Sequence, residues 1–201
     1  MSLRDALPEA SVLELASKCE IEDDKGNKVL FGSLFADQKT VVVFIRHFFC
    51  GMCQLFVEQL AAVPEAALEA AGAQIVVVGC GDFRGLENYR ENTGFKGPIY
   101  VDSTRKLYFT LGMDIQTMAT APSGQKPSYV TEGSLSNAWK SIKNGPLKDP
   151  SLLGKQGNFG QIGGDWVFGP GNQCTFAHRM QNTQDHVEVK VLMKAASVIL
   201  P

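Results

Sequence analysis

The sequence predicts an α/β fold in which a mixed central sheet is flanked by helices, and three patterns lead to this prediction. Residues 40–45 and 72–79 are almost continuously apolar and rich in β-branched side chains, which is typical of strands buried on both faces. Each of these runs is followed by a helical pattern of apolar residues, as in units of strand, helix and parallel strand. Near the C-terminus, the turn residues 169–172 separate two further strand-like runs and predict an antiparallel hairpin.

The first half of the chain supplies the opening elements. Apolar residues on both sides of the turn sequence at 23–27 predict a hairpin that opens the fold. The run at 40–45 is then the central strand. Residues 50–70 have a helical pattern that follows this strand almost at once, and Pro64 is expected to kink or divide it.

The second half repeats the strand and helix unit before the chain turns back. A polar helix is predicted over residues 86–93, a short strand over 97–102, and then a helix that Gly112 ends. After the C-terminal hairpin, a last helix is expected from about Asn182 or Thr183. Because crossover connections are right-handed, this order predicts a thioredoxin-like sheet with helices on both faces.

Length and local composition indicate the domain organisation. A chain of 201 residues suits one domain, so residues 1–201 are predicted to share a single core. Residues 1–18 have a loose helical pattern and are expected to form a helix or a docking arm. Residues 114–160 are rich in Pro, Gly, Ser and Asn, and we expect an insertion there that lies over one face, before the C-terminal hairpin and helix.

Composition argues against several classes of partner. The net charge is −2, with 19 basic and 21 acidic residues, which gives no electrostatic bias toward nucleic acid or an anionic membrane. The chain has no apolar run near the about 18 residues that a membrane span needs, and its N-terminus has no secretory signal pattern. Five cysteines at scattered positions form a poor disulfide framework. We therefore expect a cytoplasmic protein with reduced thiols.

The candidate catalytic groups are Cys50 and Cys53, which form a CxxC motif between the central strand and the next helix. A thiol at a helix N-terminus meets unpaired backbone N–H groups and the positive end of the helix dipole, which favour the thiolate. Two cysteines three apart can also close a disulfide, so that one sulfur attacks and the other resolves. The motif therefore predicts thiol redox chemistry.

Two other interpretations of the CxxC motif are a structural zinc site and inert packing. A zinc site needs a second pair of ligands, but Cys80, Cys174, His178 and His186 are scattered along the chain. No metal is therefore expected. Inert packing is the remaining alternative, and the position between strand and helix favours redox chemistry over it.

The residues around the motif supply further candidates. Arg46 is expected to stabilise a thiolate or bind a peroxide oxygen, although a surface salt bridge is an equal alternative. His47 is a candidate general acid or base, or a loop histidine that hydrogen-bonds to the backbone. Phe48 and Phe49 are expected to line an apolar substrate pocket over the thiols. Arg179 is a substrate-binding candidate near the end of the last strand, where an ordinary solvated position is the alternative.

The chain also resembles a known family. The resemblance lies in four segments: VVVFIRHFFCGMC with the helix LFVEQL, the strand IVVVGCG, the segment GPIYVDSTRKLYFTLGM and the late segment QIGGDWVFGPGNQCTFAHRMQNTQDH. Over about residues 20–198 these are similar to peroxiredoxin-like proteins of the alkyl hydroperoxide reductase/thiol-specific antioxidant superfamily, in particular the CxxC branch and its fungal members. The resemblance implies a thioredoxin fold and reduction of a peroxide, or of an endoperoxide as in prostamide synthase-like relatives.

The resemblance also implies roles for the two cysteines, in two different registers. Peroxiredoxins carry PxxxTxxC, and in that register Cys53 takes the position of the attacking cysteine and Cys50 that of the Thr. In the thioredoxin register, Cys50 is instead the exposed nucleophile. Both assignments stay open at this point. A thioredoxin or glutathione system would restore the thiols, no metal or organic cofactor is expected, and a homodimer is an expectation from resemblance alone.

The sequence therefore predicts a thiol-dependent peroxidase that acts on a hydroperoxide or endoperoxide through a redox-active disulfide. One alternative keeps the fold but assigns it to a single small organic molecule of a biosynthetic pathway, as an enzyme or binding protein with little general peroxidase activity. Another is a noncatalytic redox sensor or interaction module. Binding of an apolar ligand without turnover of simple peroxides would favour the first of these, and a reversible disulfide without turnover the second.

Overall fold

The computed structural model describes residues 3–122, 124, 127–130, 143, 147 and 149–201. The strands are β1 Glu20–Glu22, β2 Lys28–Leu30, β3 Lys39–Phe44, β4 Ala73–Gly79, β5 Ile99–Val101, β6 Gly164–Phe168 and β7 Cys174–Arg179. The α-helices are α1 Ala10–Ser17, α2 Gly51–Ala61, α3 Glu65–Ala70, α4 Leu86–Thr93, α5 Lys106–Thr110 and α6 Val189–Ala195. None of the helices in these described ranges is long and apolar enough to cross a membrane.

The strands form one mixed sheet in the order β2-β1-β5-β4-β3-β6-β7. Strand β4 pairs in parallel with both β3 and β5, while β6 pairs antiparallel with β3 and with β7. The opening hairpin β1-β2 joins the sheet through an antiparallel contact with β5. The predicted mixed sheet with flanking helices, and the antiparallel hairpin at its C-terminal end, are therefore confirmed.

Strand β3 separates the two halves of the hydrophobic core. Val41 and Val43 belong to the apolar cluster on the face of α2, whereas Val42 and Phe44 belong to the cluster on the opposite face. All four side chains are fully buried, which explains why the run reads as continuously apolar rather than alternating. The active-site motif therefore follows a strand that is fixed from both sides.

Pro64 divides the predicted helix over residues 50–70, as the sequence indicated. Helix α2 ends at Ala61, and Pro64 has extended backbone angles as the residue before α3. Proline has no N–H to donate to the preceding turn, so a single helix could not pass through this position. The break leaves α2 as a separate helix of 11 residues that begins at the CxxC motif.

The last helix begins later than the sequence pattern predicted. Helix α6 starts at Val189 rather than at Asn182 or Thr183. The preceding residues are non-helical because their backbone N–H groups serve other acceptors: His186 donates to the Tyr129 hydroxyl at 3.2 Å and Val187 to the Asp165 carboxylate at 2.9 Å. A buried carboxylate therefore competes successfully with helix formation in this segment.

The N-terminal segment is both a helix and a docking arm. Residues before α1 lie along the end of β7, where the Arg179 backbone N–H donates to the Arg4 carbonyl at 2.9 Å. The Arg179 guanidinium donates to the carbonyls of Leu3, Ala6 and Leu111, at 3.0, 2.8 and 2.7 Å. These contacts attach the described residues before α1 to the end of the sheet, while the organisation predicted for residues 1–18 as a unit stays a prediction.

The described parts of the predicted insertion at 114–160 contribute to the core and to the CxxC loop. Tyr129 is buried against Phe56 of α2, with ring centroids 5.2 Å apart. Residues 155–160 cross the carboxyl end of the sheet, and the Gln156 carbonyl accepts from the Phe48 N–H at 3.0 Å. Within the insertion, the sequence allows a helix only over residues 129–142, and most of these lie outside the described ranges. The single-domain organisation and the insertion boundaries stay predictions.

Candidate active site

The CxxC motif lies where β3 ends and α2 begins, and Cys50 caps the helix. The Cys50 backbone is extended, with φ −83° and ψ 103°, and its sulfur accepts from the Cys53 backbone N–H at 3.4 Å. This is the geometry of an N-cap side chain, in which a sulfur replaces the usual oxygen. Gln54 fixes the loop from the second turn, since its side-chain amide donates to the Phe48 carbonyl at 2.9 Å. The sequence therefore places one sulfur at the positive end of the helix dipole.

Arg46 brings a positive charge to the same sulfur. Its Nη1 donates to Cys50 Sγ at 3.3 Å, and its Nη2 donates to the Phe159 carbonyl at 2.9 Å. The residue is only 4% exposed, and none of the described carboxylates forms an ion pair with it. A buried guanidinium needs a counter-charge, and the geometry supplies a thiolate at Cys50. The surface salt bridge considered as the alternative does not describe this environment.

The two thiols of the motif have opposite electrostatic preferences. A hydrogen bond from the Cys53 thiol, the charge of His47 when its ring is protonated, the charge of Arg46 and the Cys53 backbone N–H hold the pKa of Cys50 well below its usual range, against the cost of burial. Burial raises the pKa of Cys53 well above its usual range, and the adjacent Cys50 sulfur adds to this shift. These opposite shifts favour the thiolate at Cys50 and the neutral thiol at Cys53.

His47 follows Arg46 into the loop, but it does not share that charge at neutral pH. Burial lowers the pKa of His47 to about 4, so its imidazole is neutral at pH 7. Its ring makes an edge contact with Phe159, with centroids 4.8 Å apart, and its Nδ1 is buried without a partner among the described residues. Arg46 is accordingly the permanent cation beside Cys50. The acid or base role of His47 stays a prediction.

The predicted substrate-binding residues occupy three different environments. Phe48 is 3% exposed and packs against Gly81 and Tyr89, within the core behind the loop. Phe49 is half-buried against the same apolar cluster. Arg179 lies over the Trp166 ring at 4.7 Å and holds the N-terminal arm. The structure thus brings Arg46, His47, Cys50 and Cys53 together, while the roles predicted for Phe48, Phe49 and Arg179 stay untested.

Two exposed side chains of the site were not singled out by sequence reasoning. Met118 places its sulfur 3.4 Å from Arg46 Nη2, and Phe159 covers His47. Their side chains are 64% and 50% exposed, so both form an apolar rim beside the guanidinium. Each lies in a stretch rich in Gly, Ser and Asn without periodicity, where no local pattern distinguishes one apolar residue from another.

A buried pair of polar residues also escaped sequence reasoning. Asp165 of β6 and His186 are joined at 2.8 Å between Oδ1 and Nδ1, and the His186 ring stacks on Phe56 of α2 at 4.3 Å. His186 Nε2 is buried without a partner among the described residues. Because the partners are 21 positions apart and meet only after the hairpin has folded, no spacing in the sequence could reveal the pair.

Asp165→Asn tests how much this pair stabilises the fold. The substitution removes a buried carboxylate that contacts two groups, the His186 ring and the Val187 backbone N–H. In the variant, one of these two groups will face the amide NH₂ of the asparagine instead of an acceptor oxygen. We expect the free energy of unfolding to fall by about 2 kcal/mol, measured by urea denaturation. Asp37→Asn, at an exposed position, should change it by less than about 0.5 kcal/mol. Equal effects of the two substitutions would contradict the role of the pair.

The pH dependence of alkylation tests the state of the two thiols. Only a thiolate reacts appreciably with iodoacetamide, so a lowered pKa keeps Cys50 reactive at and below neutral pH. We expect modification of Cys50 to decline only as pH falls well below the ordinary thiol range, with Cys53 unmodified up to about pH 9. Mass spectrometry of quenched samples locates the label. A Cys50 titration near that of a free cysteine would contradict the assignment.

The remaining cysteines are less suited to redox chemistry. Burial raises the pKa of Cys80 to about 11 and that of Cys174 to about 12. The Cys80 thiol donates to the Arg46 carbonyl at 3.0 Å and so supports the loop from behind. Within the described residues, no group of three or more His, Cys, Asp or Glu side chains is placed to hold a metal ion.

Comparison with known sequences gives the family. The model of the family described as AhpC/TSA antioxidant enzyme matches residues 59–182, more than half of the chain, and begins just after the cysteine pair. Peroxiredoxin-like 2C of Homo sapiens is 37% identical over 192 residues, which cover 94% of this chain and 80% of that protein. Prostamide/prostaglandin F synthase of Salmo salar is 27% identical over 181 residues, which cover 86% and 82%.

Comparison with solved structures gives the fold. Peroxidoxin BcpB from Mycobacterium tuberculosis superposes with a TM-score of 0.59 at 13% identity and covers 91% of this chain and 94% of its own. Peroxiredoxin Q from Xanthomonas campestris reaches a TM-score of 0.55 at 16% identity, with 96% and 95% covered. These likenesses confirm the predicted thioredoxin-like fold in its peroxiredoxin form. Together with the sequence match, they lead to one conclusion: the chain belongs to the AhpC/TSA antioxidant enzyme family, among its peroxiredoxin-like proteins.

Proposed function

We propose that this protein is a thiol-dependent peroxidase in which Cys50 attacks a hydroperoxide and Cys53 resolves the product. The observation that carries the proposal is the buried Arg46 guanidinium, 3.3 Å from Cys50 Sγ and without a carboxylate partner among the described residues. A cation in this position stabilises the attacking thiolate and the negative charge that develops on the departing oxygen. Its Nε is buried without an acceptor among the described residues, so this donor of the guanidinium is not used within the described part of the chain.

The reaction balances with these two cysteines alone. The Cys50 thiolate attacks one peroxide oxygen, the O–O bond breaks, and the other oxygen leaves with a proton as water or an alcohol. Cys50 is then a sulfenic acid, oxidised by two electrons. The Cys53 sulfur attacks it, a disulfide forms, and water leaves. An external dithiol or two thiols, from a thioredoxin or glutathione system, reduce the disulfide and complete the cycle.

Burial and charge support Cys50 as the attacking residue. Cys53 is fully buried and its pKa is raised, whereas Cys50, which is 4% exposed, has two positive neighbours, the helix N-terminus and Arg46. The Cys53 thiol lies one helical turn into α2 and is ready to donate a proton or to resolve. The proposal therefore follows the thioredoxin register of the motif rather than the register of the PxxxTxxC peroxiredoxins.

The rim of the site supports an organic hydroperoxide as substrate. Met118 and Phe159 are exposed apolar residues that both contact Nη2 of Arg46, the first through its sulfur and the second through its carbonyl. Their apolar side chains would pack against an apolar substituent, which hydrogen peroxide lacks. We propose the cytosol as the compartment, which fits five cysteines that are all free thiols. The homodimer stays a prediction.

An endoperoxide is the second candidate substrate, and a specific likeness favours it. Three relatives named Prostamide/prostaglandin F synthase, from Salmo salar, Danio rerio and Xenopus tropicalis, share 27, 25 and 24% identity with this chain. The same thiolate could open a cyclic O–O bond, with the ring oxygen as leaving group. An enzyme dedicated to such a molecule would turn over the endoperoxide and leave simple hydroperoxides almost untouched.

Stopped-flow oxidation of the reduced protein tests the proposal. We expect hydrogen peroxide and, more strongly, cumene hydroperoxide to oxidise the protein at least about 100 times faster than a free cysteine, because a thiolate and an electrophilic partner are preorganised. Mass spectrometry should locate one disulfide, between Cys50 and Cys53. The same protein unfolded in urea is the matched control and should react as a free thiol. Oxidation of the folded protein at the unfolded rate would exclude the peroxidase.

A further inference from the structure

Met118 shares the guanidinium of Arg46 with Cys50. Its sulfur lies 3.4 Å from Nη2, while the Cys50 sulfur lies 3.3 Å from Nη1. Arg46 is buried, and the same Nη2 also donates to the Phe159 carbonyl at 2.9 Å, so the two sulfurs are fixed against one cation. Met118 is 64% exposed and meets solvent first.

We propose that Met118 is a second oxidation site, and that its sulfoxide lowers the reactivity of Cys50. This inference rests on the proposed function in one respect: a peroxide must reach the site beside Arg46. In the step itself, the Met118 sulfur attacks a peroxide oxygen, an S–O bond forms and the O–O bond breaks. The sulfur loses two electrons, and the second oxygen leaves as water or an alcohol after taking up a proton.

The environment of Met118 favours this reaction over that of an ordinary surface methionine. A thioether is a neutral nucleophile, so the barrier is dominated by negative charge on the departing oxygen. The Nη2–H of Arg46, which donates to the sulfur in the resting site, stabilises that charge when it turns to the departing oxygen and frees the sulfur lone pair. The chain offers an internal comparison, because the half-buried Met52 lies near Gln184, whose amide nitrogen is 3.8 Å from its sulfur. Met52 therefore has a neutral neighbour where Met118 has a cation.

The sulfoxide would weaken the hold of Arg46 on Cys50 in two ways. A sulfoxide oxygen accepts hydrogen bonds far more strongly than a thioether. It therefore draws the Arg46 guanidinium toward Met118, through Nη2, and away from Cys50 Sγ. It also places the negative end of a dipole beside the thiolate. Both effects disfavour the thiolate, so the oxidised site attacks peroxide more slowly. A high peroxide load would then slow the enzyme until the sulfoxide is reduced.

The first measurement maps the oxidation. The thiols are blocked with methyl methanethiosulfonate, the protein is exposed to hydrogen peroxide, and sulfoxides are quantified by mass spectrometry. We expect Met118 to be oxidised about ten times faster than Met52 in the folded protein and at an equal rate in urea. Equal rates in the folded protein would overturn the first half of the proposal. Because the thiols are blocked, this result does not depend on peroxidase activity.

The second measurement reads the effect on Cys50. After the block is removed with dithiothreitol, we expect iodoacetamide to label Cys50 about three to ten times more slowly at pH 7 in the oxidised protein than in the untreated protein. Methionine sulfoxide reductase should restore the rate, and Met118→Leu protein should show no loss on the same treatment. Met118→Gln, which carries an amide oxygen in place of the sulfoxide oxygen, should be slow without peroxide. A loss that persists in Met118→Leu, or an unchanged rate in Met118→Gln, would overturn the proposal.

These readouts separate the inference from the proposed function. Alkylation needs a thiolate but no peroxide, so it reports the hold of Arg46 on Cys50 even in a protein that reduces no peroxide. If Cys50 fails to react rapidly with peroxides while the Met118 results stand, the peroxidase proposal falls alone. If Cys50 reacts rapidly and Met118→Gln is indistinguishable from the wild type, the Met118 inference falls alone.

Discussion

Cys50→Ser should reduce the rate of oxidation by cumene hydroperoxide at least about 1,000-fold, whereas Cys53→Ser should keep the first step within about tenfold of the wild type. The serine hydroxyl stays protonated at neutral pH and cannot replace a thiolate. Cys53→Ser retains Cys50, Arg46 and the backbone N–H that reaches the Cys50 sulfur, so attack on the peroxide is preserved. Stopped-flow fluorescence of each variant gives the rate.

The fate of the oxidised sulfur gives a second readout for the same pair of variants. In Cys53→Ser the reaction should stop at a Cys50 sulfenic acid, because the resolving thiol is missing, and dimedone should trap it with a mass increase at Cys50 alone. Cys80→Ser is a matched control, because that thiol is buried, has a raised pKa and should leave both rates unchanged. A sulfenic acid at Cys53 in the Cys50→Ser variant would reverse the assignment and restore the peroxiredoxin register.

The order of the elements along the chain and the position of the motif could be predicted because both depend on local patterns. The apolar run that becomes β3, the break at Pro64 and the Gly-rich turn at 169–172 each act through the conformational limits of a few neighbouring residues. The CxxC motif is likewise local, since a helix that starts after a buried strand has its N-terminus at the carboxyl edge of the sheet. Sequence alone therefore placed the CxxC motif at the start of a helix.

The choice between the two cysteines could not be predicted, since it depends on contacts across the chain. The Arg46 guanidinium reaches Cys50 only because the Phe159 carbonyl, 113 positions away, holds it in that direction. The late start of α6 has the same origin, because the Asp165 carboxylate takes a backbone N–H that the helix would have used. The proposed role of Cys50 and the start of α6 both depend on long-range hydrogen bonds, which leave no signal in local periodicity.

Arg46→Met should lower the rate of peroxide oxidation at pH 7 about 100-fold and raise the pKa of Cys50. Methionine has a similar length but no charge, so the thiolate loses its counter-ion and the departing oxygen loses its donor. The helix N-terminus and the Cys53 hydrogen bonds remain, so the pKa stays somewhat below that of a free cysteine. Rates measured from pH 5 to 10, by both alkylation and peroxide oxidation, separate these two losses.

The comparison of the two pH profiles determines what Arg46 does. Alkylation by iodoacetamide should recover fully at high pH in Arg46→Met, because it needs only the thiolate. Peroxide oxidation should stay below the wild type even at pH 10, since stabilisation of the leaving oxygen is still missing. Arg46→Lys keeps the charge but cannot reach Cys50, Met118 and the Phe159 carbonyl at once. We expect its rate of peroxide oxidation to lie between those of the wild type and Arg46→Met, and the pKa of Cys50 to be lowered almost as much as in the wild type. If Arg46→Met gave wild-type profiles for both reagents, the guanidinium would be a structural group and the charge that activates Cys50 would come from the helix alone.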